Sequence, residues 1–262
     1  LTTDELRPKT RRTIQRTALN TGPGRPLVED PLGSAADLRP ISSGGVKRHQ
    51  PREADLWVQS RLWPKNTPDP VRRLRIAGLK AFSELGFSGA TTRQIASLAR
   101  MSPAALYSHY ASKADLLFDI SHAAHEYALR DLQREFVVEG TAIDRVRRLA
   151  TTFTQYHASF HTATRIAQYE LHSLAPDHFT IIVELRRAIH TIMREAIRLG
   201  CVEGDLAVDD LDSTTTFVLS LGIDVARWFR PEGRLSPEEI GAQCSDLVIR
   251  MLRRVPTTTQ ER

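Results

Sequence analysis

From Asp69 to Phe136 the chain marks its own helix boundaries, and the marks leave room for two very short helices between two longer ones. Pro70 suits a first helical turn, and Leu74, Ala77, Leu79, Ala81, Phe82 and Leu85 then recur at helical spacing up to a stop at Gly86. Thr91 with Gln94 three residues later makes a capping box for a helix from Thr92 to about Leu98. Ser102 followed by Pro103 is an N-cap before a proline at the first helical position, and opens a helix to about His109. Ser112 with Asp115 then starts a longer helix from Lys113 to about Phe136.

Beyond Gly140 the spacing stays helical, with segments expected at 142–161, 163–174, 177–199, 209–229 and 236–254. The last opens on Ser236-Pro237-Glu238-Glu239, which joins an N-cap, a proline and a capping-box glutamate. Its Ile240, Cys244, Leu247, Val248, Met251 and Leu252 share one face. Strand-like alternation bounded by turns is absent, so the expected fold class is all-α. Residues 1–66 differ. Nine of the fourteen prolines lie before Val71, Gly/Ser clusters recur, and no apolar period is sustained, so 1–66 reads as a disordered extension with a short helix around Ala54–Leu62.

Charge is distributed unevenly. Residues 71–118 hold 7 Lys/Arg against 2 Asp/Glu, an excess equal to the whole chain's +5, while residues 119–262 hold 17 against 21. A short basic segment over a mildly acidic remainder suits contact with a polyanion, or a solvated basic face. No stretch approaches the eighteen apolar residues of a membrane span, and the polar, Arg-rich start has no signal-peptide core. Cys201 and Cys244 form no disulfide framework and no metal-ligand spacing. A cytoplasmic protein without membrane contact is expected.

A capped short helix, a tight turn and a second short helix inside a basic segment make the helix-turn-helix plan, whose second helix enters the major groove of DNA. The string itself adds to this. Val71 to Leu117 contains Ala81-Phe82-Ser83-Glu84-Leu85-Gly86-Phe87, Thr91-Thr92-Arg93-Gln94-Ile95-Ala96, Leu106-Tyr107-Ser108-His109-Tyr110 and Ser112-Lys113-Ala114-Asp115-Leu116-Leu117. This closely resembles the signature of the TetR family of transcriptional regulators. The resemblance implies a three-helix helix-turn-helix DNA-binding domain over 67–117 and a larger helical ligand-binding and dimerisation domain over 118–256. It departs from the family at the turn, where Arg100 stands in place of the usual Gly. If that position needs φ > 0, Arg costs about 1–2 kcal/mol there.

Candidate DNA contacts follow from residue chemistry and from matching positions. Thr91 sits at a helix N-terminus, which favours a phosphate, and Thr92 follows it. Arg93 has the fork that pairs with guanine. Ser102, Pro103, Ala104 and Ser108 are small enough for base edges or thymine methyls. Tyr107, His109 and Lys113 resemble family positions that touch backbone or nearby bases, although the Tyr107 ring could instead pack between helices. Leu106, Ile95, Ala96, Phe82 and Leu116 are expected in the core.

For the body, the resemblance implies dimerisation through 209–229 and 236–254 in a four-helix bundle, and hence a homodimer on a pseudo-palindromic double-stranded operator. Arg165-Ile166-Ala167-Gln168-Tyr169-Glu170-Leu171 and Ala226-Arg227-Trp228-Phe229-Arg230-Pro231 resemble, more loosely, a TetR branch that answers acyl-coenzyme A thioesters. Such an effector needs an apolar groove, for which Phe153, Phe160, Tyr169, Phe217 and Trp228 are candidates. It also needs cations for its phosphates, for which Arg165, Arg186, Arg187 and Arg227 are candidates. Core aromatics and solvated arginines are the alternative for each. The helix 113–136 is expected to act as the lever between domains.

Other classes have less behind them. His157 and His161 are spaced i, i+4, and His122 and His125 i, i+3, but no further ligand falls beside either pair. Neither a phosphate-cradling Gly loop, a nucleophile elbow nor an HExxH pair occurs, and Glu170 and His172 would not face one another on a helix. No enzyme activity, metal or cofactor is expected. A regulator of other small molecules, and an architectural DNA binder without a ligand, remain as alternatives.

Overall fold

The computed structural model describes residues 51–253, which belong to one compact unit. Its helices are α1 (Glu53–Gln59), α2 (Asp69–Gly89), α3 (Thr92–Leu98), α4 (Pro103–Tyr107), α5 (Lys113–Phe136), α6 (Ala142–Ser159), α7 (His161–Tyr169), α8 (Pro176–Glu203), α9 (Leu211–Trp228) and α10 (Pro237–Leu252). Short 3₁₀ turns follow α1 and α7. Among the described residues the one β-type pairing is an isolated bridge between Leu206 and Arg253. The all-α expectation holds. Residues 51–66, expected to lack structure apart from a short helix, carry α1 and the turn Ser60–Leu62; residues 1–50 lie outside the described residues.

Helix starts fall where the sequence places its caps. Side-chain oxygens of Thr91, Ser102, Ser112, Thr141, Asp210 and Ser236 each accept from a backbone N–H three residues on. Each such bond satisfies an amide that the helix itself cannot, and is worth about 1 kcal/mol.

Several helix ends depart from expectation: α7 stops at Tyr169 where a helix to 174 was expected, and two further departures fall at glycine. Gly86 has φ 72° and ψ 168°, so α2 kinks there but continues to Gly89 instead of stopping. The segment expected over 177–199 runs on through Gly200, where the Leu206 side chain packs against the bare Cα. The true stop is Gly204, at φ 85°, a left-handed cap that glycine adopts without steric cost.

The body is built around α6, which is covered by α10, α9, α5 and α8. Leu132, Leu149, Ile182, Met193 and Ile197 are fully buried there, and each such side chain contributes about 1.5–3 kcal/mol of transfer free energy. The α10 helix approaches α6 closely at Gly241, where a Cβ would stand 2.9 Å from the carbonyl oxygen of Thr151. Gly241→Val is therefore expected to lower stability by about 1–3 kcal/mol, read as an earlier urea midpoint.

Candidate nucleic-acid interface and body interior

The α3 helix lies against α2 and α4 against α3, with Ile95, Ala96, Ala99 and Leu106 buried in the same apolar cluster as Leu74, Leu79 and Phe82. Helical periodicity then sends the intervening residues outward. Thr91, Arg93, Ser102, Pro103, Ala104, Tyr107, Ser108 and His109 are exposed, and Thr92 is half-buried. Tyr107 is 52% exposed, and its hydroxyl meets Thr92 Oγ1 at 3.2 Å, so the ring spans the outer faces of α4 and α3 instead of packing between helices. Arg93 makes no hydrogen bond or ion pair with any described residue, which leaves its guanidinium fork open. The Thr91 hydroxyl, in contrast, donates to Gln94 Oε1 at 2.8 Å and accepts from Gln94 N at 3.2 Å. It serves the capping box and has no proton left for a phosphate.

The turn between α3 and α4 is a Schellman ending. Arg100 N donates to Ser97 O at 3.0 Å and Met101 N to Ala96 O at 2.9 Å, with Arg100 at φ 56°. Arg100 is the one non-glycine residue with positive φ among those described, so the position does need the left-handed region.

Long-range bonds mount this unit on α2 and α5. Arg75 Nε and Nη2 donate to the two carboxylate oxygens of Asp119 at 2.7 and 2.6 Å, and the Tyr110 hydroxyl donates to the same carboxylate. Burial and that carboxylate raise the Tyr110 pKa well above the usual phenol range, keeping its proton in place. Lys113, expected to face DNA, donates through Nζ to Phe87 O at 2.7 Å and Ala90 O at 2.9 Å, and lies 4.4 Å from the Phe87 ring centroid. Its ammonium fastens the end of α2 to α5. None of these partners is close in sequence to the group it holds, and no local spacing announces them.

Beside α6, α7 is the helix buried on every side. His161 to Ala167 are all buried, so the helix has no solvent face over that run. Phe160, just before it, is buried against Tyr127 and Tyr156. Arg165 is 7% exposed, with no acceptor for its guanidinium among the described residues; burial, and then Arg230, lower its pKa. Arg186 on α8 donates from Nε to His125 Nε2 at 3.2 Å and also donates to Gln168 Oε1, and burial brings its pKa down to about 10. Tyr169 is half-buried. Arg165 and Tyr169 are thus on α7, Phe160 caps it, and Arg186 meets it at Gln168.

The remaining candidates are elsewhere. Phe217 and Trp228 are 62% and 48% exposed on the outer side of α9, Arg227 is exposed and held by Asp224, and Arg187 is exposed on α8. In this chain they do not line the interior around α7, because the inward positions of α9 are taken by Thr215, Val218, Leu219, Gly222, Val225 and Ala226.

The histidine pairs also resolve differently from their spacing. The α6 helix ends at Ser159 and α7 begins at His161, so His157 and His161 are not on one helix, and each gives Nδ1 to a backbone carbonyl. Glu170 has no His172 partner. Its Oε1 accepts from Phe87 N at 3.1 Å, at the Gly86 kink of α2.

A capped helix pair with its polar side turned outward, mounted on an α-helical body, defines a helix-turn-helix DNA-binding regulator. The comparisons make this specific. Residues 76–120 match the family of bacterial regulatory proteins, tetR family, and residues 139–252 match the tetracyclin repressor-like C-terminal domain. A bacterial regulatory protein in the tetR family from Rhodococcus RHA1 superposes with a TM-score of 0.68 at 34% identity, covering 72% of this chain and all of that one. The HTH-type transcriptional repressor KstR2 of Rhodococcus jostii (strain RHA1) is 28% identical over 187 residues, 68% of this chain and 89% of the relative. AibR in complex with isovaleryl coenzyme A and operator DNA has the same fold, with a TM-score of 0.62 at 20% identity, covering 70% of this chain and 98% of that one. The chain belongs to the TetR family of transcriptional regulators, which is not a family of enzymes.

Two stability outcomes follow from this geometry. Arg100→Gly should raise stability by about 1 kcal/mol, seen in thermal unfolding, because glycine relieves the positive φ. Burial pushes His125 and His157 from 6.5 down to about 3 and about 4, so both stay neutral when folded. Below pH 6.5 the unfolded chain binds more protons, and stability, complete above that pH, should fall toward pH 4. The slope is about 1.4 kcal/mol per pH unit for each histidine, and His157→Gln should flatten it in urea titrations across that range.

Proposed function

We propose that the chain is a homodimeric repressor that grips a palindromic operator through α3 and α4 and is released from it by an acyl-CoA thioester. The observation that carries the DNA-binding part is the outward row on α3 and α4 within the basic segment 71–118. In this reading Arg93 pairs with guanine, while Thr92, Ser102, Pro103, Ala104, Tyr107, Ser108 and His109 approach bases and phosphates. Thr91 is spent on the capping box through both its hydroxyl and its N–H, so the backbone amides of Thr92 and Arg93 are the contact at that helix start, and Lys113 positions α5 and α2.

Dimerisation through α9 and α10 is supported by apolar side chains left exposed at helical spacing: Phe217, Leu221 and Trp228 on α9, and Leu247 and Met251 on α10. A second copy of this chain is the occupant we assign to that stripe, which accounts for Phe217 and Trp228 without a place in the interior. The effector reading draws on Phe160, Arg165, Tyr169 and Arg186 on and beside α7, and on the isovaleryl coenzyme A held by AibR. A guanidinium buried without a carboxylate favours an anionic ligand group over a neutral drug.

The test is operator binding measured by fluorescence anisotropy on DNA from upstream of the gene. Arg93→Ala should cost about 1–3 kcal/mol on the operator, concentrated at one base pair per half-site, with little loss on random duplex. Titration with acyl-CoAs, free fatty acids and lipophilic drugs then reads the effector. Release by acyl-CoA alone supports the proposal, release by drugs replaces the ligand class, and release by none of them leaves an architectural DNA binder.

A further inference from the structure

The segment before α2 precedes both family matches, yet it is built into the interior. Gln59, the last residue of α1, is 0% exposed. It faces the break between α6 and α7, where Phe160 has φ −107° and ψ 30°. Such a break leaves the last carbonyls of one helix and the first amides of the next without partners. The side-chain amide of Gln59 supplies one of each. Its Nε2 donates to Ser159 O at 3.1 Å and its Oε1 accepts from Ala163 N at 3.2 Å. The glutamine amide is thus inserted between two groups, Ser159 O and Ala163 N, that a continuous helix would join directly.

The same segment holds onto α2. Leu56, Leu62 and Trp63 are buried in the core cluster that includes Leu74 and Leu79 of α2. The Trp63 ring centroid lies 5.3 Å from the guanidinium carbon of Arg75, the residue that grips Asp119 on α5. Arg52 reaches Glu232, between α9 and α10, at 2.8 Å. At its other end α7 is tied to α2 directly, by Glu170 on Phe87 N. An axial shift of α7 must therefore break one of these bonds or carry α2 with it, and α3 is packed on α2 with α4 packed on α3.

We propose that residues 51–63 form a strap that couples the α6–α7 junction to the DNA-binding unit, with Gln59 as its positioning residue. The coupling exists with or without an effector. It rests on the proposed function only in what it serves, namely passing a change around α7 to the operator-facing helices. Because such coupling is reciprocal, operator binding should also quiet the junction.

Hydrogen exchange read by mass spectrometry on the full chain tests this. Gln59→Leu removes both bonds, Gln59→Glu keeps the acceptor for Ala163 N, and Arg61→Ala on the exposed side of the segment is the control. In Gln59→Leu, exchange at residues 159–164 should rise about tenfold, the scale of one lost hydrogen bond, and exchange in α2 should rise with it. Gln59→Glu should fall between that variant and the unaltered chain, and Arg61→Ala should match the latter. Loosening confined to residues 159–164 would make Gln59 a local cap and overturn the strap; an unchanged junction would overturn it as well. With operator DNA added, slower exchange at 159–164 in the unaltered chain and a smaller effect in Gln59→Leu are expected. A chain that ignores the duplex defeats the proposed function, and the DNA-free comparison still decides the strap.

Discussion

The position of α7 is the constraint on which the other packing choices depend. A helix buried around its whole girth cannot be located by an apolar stripe, since every side is an inside. Bonds locate it instead: Thr164 Oγ1 to Phe160 O at 3.0 Å, His161 Nδ1 to Ala158 O at 3.0 Å, Gln59 at the first turn and Glu170 at the last. Directional bonds of this kind are costly to leave half-made in a dry interior, so they favour discrete arrangements over gradual sliding. That is the property a sensing element needs, because a ligand then shifts a population between states and does not merely deform one.

The DNA-facing unit divides its labour differently. Side chains that fix its shape spend their polar atoms doing so: Thr91 and Gln94 on each other, Ser102 on Ala105 N, Lys113 on two carbonyls, Asp119 on Arg75 and Tyr110. Arg93 has no structural duty of this sort. A rigid mount with an unspent guanidinium on the outer face of α3 is what base readout requires, because the donors must arrive already aimed.

How much of this could be read beforehand tracks the range of each interaction. Caps at Thr91, Ser102, Ser112 and Ser236 act over three residues, so their pattern is visible in the string, and the helix starts follow it. The inward set Ile95, Ala96, Leu106 and Phe82 was legible for the same reason, being a matter of period. The ends of α2 and α8 were not, because a glycine signals permission and only a neighbour such as Leu206 decides how it is used. The body candidates divide similarly. Arg165 and Arg186 lie inside around α7, while Phe217 and Trp228 share their aromatic character with core residues and differ only in which side of α9 faces α6. Gln59, Asp119 and Glu170 were beyond reach, since their partners lie 104, 44 and 83 residues away with no spacing rule between them.

Gln59 also bears on where a fragment of this molecule can be cut. The family match starts at residue 76, inside α2, and a gene fragment trimmed to that recognisable portion would lose the first turns of that helix. It would also omit the amide that completes the junction between α6 and α7. Cloning boundaries drawn from kinship and boundaries drawn from satisfied backbone thus differ, and the second set is the one a crystallographer or a protein engineer should cut by.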